Sequence, residues 1–587
     1  MNYEANFRGT TLLIMDYIVN IIVFILIYAV WVQSLNLIMG YVGVISMGHA
    51  VFSAIGAYTA ALISVHLGYN FLVGTAAGFL LATIVGALLA IPSLRVRDEY
   101  LIVFTVGFQM VAYEFMLTAR RITEGQGGIP NIPFPTLFGF EFNTPIKFLP
   151  LALVTAVICF SIVWRLVRSP FGRVLKAIRE DESACRALGK NTLRFKVLVF
   201  ALGGGIAAVA GSSLAYFITF ISPGSFSVEV SIFIIVMVIL GGEASFWGPL
   251  VGAAILVGLP EVLRFLPGTA DMVDVLREIF YGFILMFMMI FRPQGILPEY
   301  AAQTKEVQVP TDLPVEGEPN DDRNMSSSEE RQATPKILEI RGLSKSFGGL
   351  RAVNEASLTL SSGKITGLIG PNGCGKTTIF NLITGFLDAD GGKVYVHGKE
   401  ITGKAPYKLI NDGLARSWQD IRTFKDMTVL DNVRVARPKQ SGEKILALFF
   451  SPWRVAREER ENYRKAFGYL KMVGLADKAG HLAGSLSTAE QKLVAIARLM
   501  ATECPVLLLD EPTSALDLES VERIIKLIRS IAQQGRKTIL LIEHNLDVVR
   551  GLVEEAYFMS EGKVLAYGEP SALMADPKLA EVYFGID

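Results

Sequence analysis

Between residues 17 and 94 the chain contains not one Asp, Glu, Lys or Arg, and apart from tyrosines only His49 and His66 can titrate there. A helix of a soluble domain needs a polar face, so this stretch cannot be an ordinary globular core. At about 20 apolar residues per crossing it holds about three membrane spans. Cysteine is also scarce. The four present (Cys159, Cys185, Cys374, Cys504) are scattered without metal-ligand spacing. Three fall in segments read below as cytosolic, where thiols stay reduced, which argues against a disulfide framework or a zinc site. Net charge is absent too, with 55 basic and 55 acidic residues, so nothing indicates a nucleic-acid partner. Before the first apolar run the only positive charge is Arg8. The apolar character continues far beyond any cleavage site, so that run reads as an uncleaved first span rather than a signal peptide.

What is present divides the 587 residues sharply. Apolar residues make up 51% and mean hydropathy is +0.43. Further runs able to cross a bilayer lie at 100–113, 148–164, 197–221, 230–242, 244–259 and 279–291. Several are shorter than about 20 residues and must tilt, extend or re-enter, and the expected total is eight to ten spans. Glycine clusters such as Gly203-Gly204-Gly205 and Gly241-Gly242 suit close helix approach. Nine Lys and Arg residues between 165 and 196 place that segment on the cytosolic side. Residues 301–335, punctuated by Pro310, Pro314, Pro319 and Pro335 and rich in Glu, Asp and Ser, read as a disordered acidic linker. The expected domains are therefore an all-α polytopic membrane domain over 1–300, the linker over 301–335, and an α/β domain over 336–587.

In that last part, 337–340, 365–369, 506–509 and 538–542 read as strands, and 443–500 as mostly helical. The segment Gly370-Pro371-Asn372-Gly373-Cys374-Gly375-Lys376-Thr377-Thr378 fits the phosphate-binding loop of P-loop NTPases, following a strand and opening a helix. A chance glycine-rich turn would lack that context. The glycines let backbone N–H groups wrap phosphates, and the helix N-terminus adds its dipole. Lys376 would neutralise terminal phosphate charge and Thr377 would hold Mg²⁺. Downstream, an apolar strand delivers Asp510-Glu511. Asp510 suits the metal and its water, and Glu511 suits the general base that polarises an attacking water.

With these motifs in place, residues 337–587 resemble an ATP-binding cassette, and the resemblance implies further roles. Phe347 stands where the family stacks an aromatic on adenine, with Val353 closing the same stretch. Gln419 matches the glutamine that senses Mg²⁺ and contacts the membrane domain. Ser514-Ala-Leu-Asp517 matches the loop crossing to the partner cassette, and His544 the histidine on the γ-phosphate. The signature departs from the family pattern Leu-Ser-Gly-Gly-Gln. It reads Leu486-Ser487-Thr488-Ala489-Glu490, keeping Ser487 but losing both glycines and placing a carboxylate where a partner's γ-phosphate would dock. The expectation is one weakened ATP site in a heteromeric complex, with the site built on Lys376 and Glu511 competent.

The cassette text Phe347-Gly-Gly-Leu-Arg-Ala-Val353, Phe380-Asn-Leu-Ile-Thr-Gly385, Met427-Thr-Val-Leu-Asp-Asn-Val433 and Tyr583-Phe-Gly585 is similar to the ATPase of branched-chain amino acid uptake systems. Trp418 stands where that family usually has Phe. Residues 30–293 resemble the permease of the same system, through Leu35-Asn-Leu-Ile-Met-Gly-Tyr-Val-Gly, Ser46-Met-Gly-His-Ala50, Ser169-Pro-Phe-Gly-Arg173 and Trp247-Gly-Pro249. The resemblance implies an ATP hydrolase driving import of branched-chain or other hydrophobic amino acids across a bacterial inner membrane. Its partners would be membrane lipid, a second permease and second ATPase (or a second copy of this chain), an extracytoplasmic solute-binding protein and a small-molecule solute. Relatives carrying urea, amides or aromatic acids, and an exporter, are the alternative readings. Segment 169–189 loosely follows the importer motif whose short helix docks on the cassette; a basic loop lying on lipid is the competing reading.

Overall fold

The computed structural model describes residues 2–93, 98–264, 273–299, 336–535 and 537–584. The linker expected over 301–335 lies outside them. The chain forms two compact units, Met1–Arg179 with Thr192–Tyr300, and Glu180–Asn191 with Ala301–Asp587. Twelve residues flanked on both sides by the helical unit thus belong with the α/β unit.

In the first unit seven helices among the described residues are long and apolar enough to cross a membrane. Five precede the basic segment: Met15–Val42 within a longer helix, His49–His66, Phe71–Pro92, Tyr100–Thr118 and Pro145–Val167. After it come Thr192–Ile218 and Pro223–Gly241, then two shorter apolar stretches, Gly248–Glu261 and Ile279–Met288. Seven is fewer than the eight to ten spans expected: the last two apolar runs, within helices Gly248–Arg264 and Val273–Phe291, are too short to count with the others among the described residues.

Apolar side chains gain nothing by leaving lipid for one another, so membrane helices hold together through close packing and internal hydrogen bonds. Both are visible. A Cβ on Gly56 would lie 2.1 Å from the Ala208 carbonyl oxygen, and one on Gly211 2.0 Å from that of Ser53. These two glycines let His49–His66 and Thr192–Ile218 meet backbone to backbone. Polar pairs then fix the register. His49 Nε2 lies 2.7 Å from Ser34 Oγ, Gln109 Nε2 donates to the Phe226 carbonyl at 2.7 Å, and Asn36 bonds both Ser245 O and Ala244 N at 2.8 and 2.9 Å. His49 is thereby a packing residue, as its small-residue neighbourhood suggests.

The second unit is built on a six-stranded sheet in the order Lys563–Gly568, Glu555–Ser560, Ile365–Ile369, Thr538–Ile542, Val506–Asp510, Leu414–Arg416. It is parallel except for the antiparallel pair at the first edge. Strands Ile365–Ile369, Val506–Asp510 and Thr538–Ile542 are buried at every position, the mark of a parallel sheet covered on both faces. A four-stranded antiparallel sheet, Leu350–Ser361, Lys336–Phe347, Gly391–Val396 and Lys399–Glu400, packs beside it. The two share a core containing Leu338, Val353, Phe380 and Leu540.

The tight glycine contacts give a direct test. Gly56→Leu or Gly211→Leu forces the two helices apart, and overpacking of this kind costs about 1–3 kcal/mol or more. The expected outcome is loss of the monodisperse peak in detergent size-exclusion chromatography, whereas Gly258→Leu, whose Cβ would meet nothing within 4 Å, keeps it.

Candidate nucleotide site and its coupling groove

Strand Ile365–Ile369 runs straight into the loop 370–375, and helix Lys376–Ile383 follows. The loop needs its glycines. Gly370, Gly373 and Gly375 have φ of +151°, +79° and +105°, and a Cβ on Gly375 would stand 2.2 Å from the Ala352 carbonyl. Lys376 Nζ donates to the carbonyls of Gly370 and Pro371, both at 2.9 Å, folding the ammonium over the loop. Burial lowers its pKa. Cys374 is buried beneath the loop, and desolvation raises its thiol pKa although Lys376 opposes this, so the thiol is a poor target for modification.

An open cleft over this loop is lined by Phe347, Asn372, Gly373, Gly375, Lys376, Thr377, Thr378, Gln419, Glu511 and His544. Residues chosen from five separate motifs therefore meet at one place. Phe347 is 47% exposed, leaving a ring face for stacking. Glu511 leaves its strand in the left-handed region, φ +47°, a conformation costing about 1–3 kcal/mol for a non-glycine residue and typical of functional sites. There its carboxylate is held from both sides, by Gln419 Nε2 at 2.9 Å and His544 Nε2 at 2.8 Å. The His544 loop is itself braced. Buried Glu543 accepts from Thr513 N and Oγ1 at 2.9 and 2.6 Å, and Tyr583 donates to the His544 carbonyl at 3.2 Å.

Two residues grouped with the nucleotide set lie elsewhere. Val353 is fully buried in the core beneath the antiparallel sheet and does not line the cleft. Ser487 caps helix Thr488–Met500. Its N–H and hydroxyl donate to Glu490 Oε2 at 3.0 and 3.1 Å, and Lys478 pairs with the same carboxylate. The hydrogen-bonded lysine is the main reason that Glu490 sits below the usual carboxylate pKa range. The carboxylate expected to stand bare at the signature is thus neutralised, and it occupies the donors of Ser487 itself.

Sequence reading overlooked the residue that organises this site. Arg416, at the end of strand Leu414–Arg416, is 4% exposed. Its guanidinium donates to Asp510 Oδ2 at 3.1 Å, Asn381 Oδ1 at 2.5 Å and Thr384 Oγ1 at 3.3 Å. It also lies 4.4 Å from the Trp418 ring centroid. The only sequence signal was an arginine ending a short apolar strand just before Gln419. Burial raises the Asp510 pKa, and Arg416 works against that shift. Asp510 Oδ1 is buried and has no hydrogen-bond partner. A carboxylate oxygen left open near Lys376 of the phosphate loop fits a hydrated divalent cation, so the donor set suits Mg²⁺. Lys492 is a second overlooked residue, donating to Ser514 O at 2.5 Å and Ser514 Oγ at 2.9 Å.

The segment Glu180–Asn191 lies on the same unit. Helix Glu182–Ala187 is capped by Asp181, which accepts from Ala184 N at 2.8 Å. Around it, Asp181 pairs with Arg422 at 3.3 Å, Glu180 accepts from Asp426 N at 3.1 Å, and Lys190 pairs with Glu443 at 2.5 Å. Ala184, Ala187 and Leu188 line one cavity with Trp418, Gln419, Ile496 and Leu499. This is the groove-and-helix arrangement that the importer-like motif implies.

Removing one member of a buried ion pair costs about 3–5 kcal/mol, because the other charge is left uncompensated. Arg416→Ala is therefore expected to lower the cassette's thermal midpoint in calorimetry more than any exposed Arg→Ala change. The double variant Arg416→Met with Asp510→Asn should recover much of the loss.

Comparisons with known proteins match both halves of the chain. The family model described as the permease component of branched-chain amino acid transport systems matches residues 17–291, and the ABC transporter model matches residues 353–514. The high-affinity branched-chain amino acid transport ATP-binding protein BraF of Pseudomonas aeruginosa is 36% identical over 249 residues, 42% of this chain and 98% of that protein. LivG of Escherichia coli, of the same description, is 34% identical with the same coverage. Among solved structures, the ADP conformation of an ABC transporter's ATP-binding cassette is 35% identical and covers 43% of this chain and all of its own, with a TM-score of 0.38. The chain belongs to the branched-chain amino acid ABC transporter family, joining in one polypeptide a membrane permease and the ATPase cassette that serves it.

Proposed function

We propose that this chain is one half of an ATP-driven importer that carries branched-chain or other hydrophobic amino acids across the bacterial inner membrane. The observation that supports it most is that two unlike halves point to one transport system. In this reading the permease occupies 1–300, the linker 301–335 and the cassette 336–587, with the cassette in the cytoplasm below a multi-pass membrane domain. The complex is completed by a second permease and second ATPase, or a second copy of the chain, and by an extracytoplasmic solute-binding protein that selects the solute.

ATP stacks its base on Phe347 and lays its phosphates across the loop 370–375, with Lys376 and the N-terminus of helix Lys376–Ile383 meeting their charge. Mg²⁺, held by Thr377, Asp510 and Gln419, would neutralise charge on the phosphate oxygens. Glu511 takes the proton of the attacking water, and Gln419 and His544 aim it, since each already bonds one of its two oxygens. His544 also contacts the γ-phosphate. The product of each cycle is a change of access in the permease, not a new covalent bond. Closure of the cassettes reaches the membrane through helix Glu182–Ala187.

The signature supports an unequal pair of ATP sites. With Ser487 donating to Glu490 and both signature glycines replaced, the site that borrows this signature is weakened, and the site built on Lys376 and Glu511 hydrolyses ATP against a partner's signature. That arrangement favours a heteromeric complex, because two copies would carry the defect in both sites.

Two measurements test these readings. Cells expressing the complete system should accumulate labelled leucine, and Glu511→Gln should lower uptake at least about 10²-fold while ATP binding persists; intact ATPase without leucine uptake would transfer the solute to urea, amides or aromatic acids, or the direction to export. In the purified complex Lys376→Ala should stop turnover, whereas Ser487→Ala should leave most of it. Equal loss in both variants would exclude an inequivalent pair.

A further inference from the structure

One surface of the cassette is unlike the rest. Leu446, Phe450 and Trp453 are 72%, 81% and 87% exposed; Leu446 and Phe450 are four apart on one helix, and Trp453 follows just across a turn. They stand on an elbow in which helix Ile445–Phe450 turns at Ser451 into helix Pro452–Met472. The elbow is not a loose loop. Leu448 and Val455 are buried beneath it, and Ser441 N donates to Glu458 Oε2 at 2.9 Å, closing its base. Three exposed cations, Lys444, Arg454 and Arg457, flank the apolar side chains in the chain, Arg454 also pairing with Glu458 at 3.1 Å.

Its location is set by a buried ion pair. Lys190, 3% exposed, binds Glu443 at 2.5 Å and the Arg437 carbonyl at 3.0 Å. Only two residues further on, within about 7 Å of extended chain, helix Thr192–Ile218 begins, one of the seven long apolar helices. The base of the elbow is thus bonded to Lys190, two positions before helix Thr192–Ile218 in the chain and within the basic segment that the sequence assigns to the cytosolic side.

We propose that the elbow is a membrane-interface anchor. It sets Leu446, Phe450 and Trp453 into the headgroup boundary of an anionic leaflet, with Lys444, Arg454 and Arg457 on the lipid phosphates. Trp and Phe with flanking Lys and Arg are the composition that settles at this boundary, and the cytoplasmic leaflet supplies the negative surface potential. A protein partner fits less well, because three side chains are far short of the roughly 1,000 Å² that a stable protein interface buries. The proposal goes beyond transport and rests on the membrane-spanning reading alone; its readout needs no solute.

The test uses the full chain in nanodiscs. All four native cysteines are buried, so bimane goes to a new thiol at Leu446→Cys or Phe450→Cys, with Leu518→Cys, 84% exposed, as the cassette control. Variants that retain ATPase activity are compared in phosphatidylglycerol and phosphatidylcholine discs containing a lipid with a shallow nitroxide. The expected result is quenching at 446 and 450 at least about twofold above 518 in phosphatidylglycerol, falling in phosphatidylcholine, in high salt, or with Arg454→Glu and Arg457→Glu. Quenching at 446 and 450 no greater than at 518 in phosphatidylglycerol overturns the anchor. So does a benzophenone at 450 that crosslinks protein and no lipid.

Discussion

The nucleotide site depends on the buried pairing of Arg416 with Asp510. One guanidinium reaches the end of the strand that delivers Asp510, and on the other side reaches Asn381 and Thr384. Asn381 lies on the helix that follows the phosphate loop. Three pieces of backbone that must keep their spacing for phosphate chemistry are therefore held by one rigid, planar group. A lysine has no such fork and could not satisfy these partners together. The pair is costly to bury, but within a fully hydrogen-bonded network that cost is offset and the geometry is sharply defined.

The same arginine begins a run of contacts leading away from the chemistry. The Trp418 ring lies 4.4 Å from the Arg416 guanidinium and 4.3 Å from that of Arg422, and Arg422 pairs with Asp181 at the cap of helix Glu182–Ala187. Gln419, next to Trp418, bonds Glu511. Glu511 and helix Glu182–Ala187 are thus separated by a few packed side chains. Trp offers two nearby guanidinium groups a larger π surface than the Phe usual in the family. The Arg422–Asp181 pair is partly exposed and by itself contributes little to stability.

The membrane unit obeys a different constraint. With no water inside a bilayer, polar groups must find partners within the protein, and residues 17–94, which hold nearly all of the first three spans, contain no Asp, Glu, Lys or Arg. Packing rests on small residues, as at Gly56 and Gly211. The few buried amides and hydroxyls, Asn36, Gln109 and Ser34, are spent on joining one helix to another. Apart from Asp16 at the start of the first span and His49 and His66 in the second, these three spans carry no charged or imidazole side chain that would mark a carboxylate or ammonium solute.

Much was legible in the sequence by itself. The charge-free stretch, the phosphate loop, the Asp510-Glu511 strand end and the order of cassette motifs are local patterns, and local patterns follow from periodicity, turn chemistry and strand burial. Strands at 365–369, 506–510 and 538–542 emerged where the apolar runs placed them. Only tertiary structure decided the rest, because each remaining feature joins residues far apart in the chain. Arg416 meets Asp510 across 94 positions, and Asp181 meets Arg422 across 241. Val353 looked like part of a nucleotide motif yet fills the core, since the inward face of a strand is assigned by packing and not by neighbouring text. Glu490 looked like a bare charge at the signature. The fold brought Lys478 to it and turned its oxygens onto Ser487, because a carboxylate at a helix N-terminus takes the nearest donors.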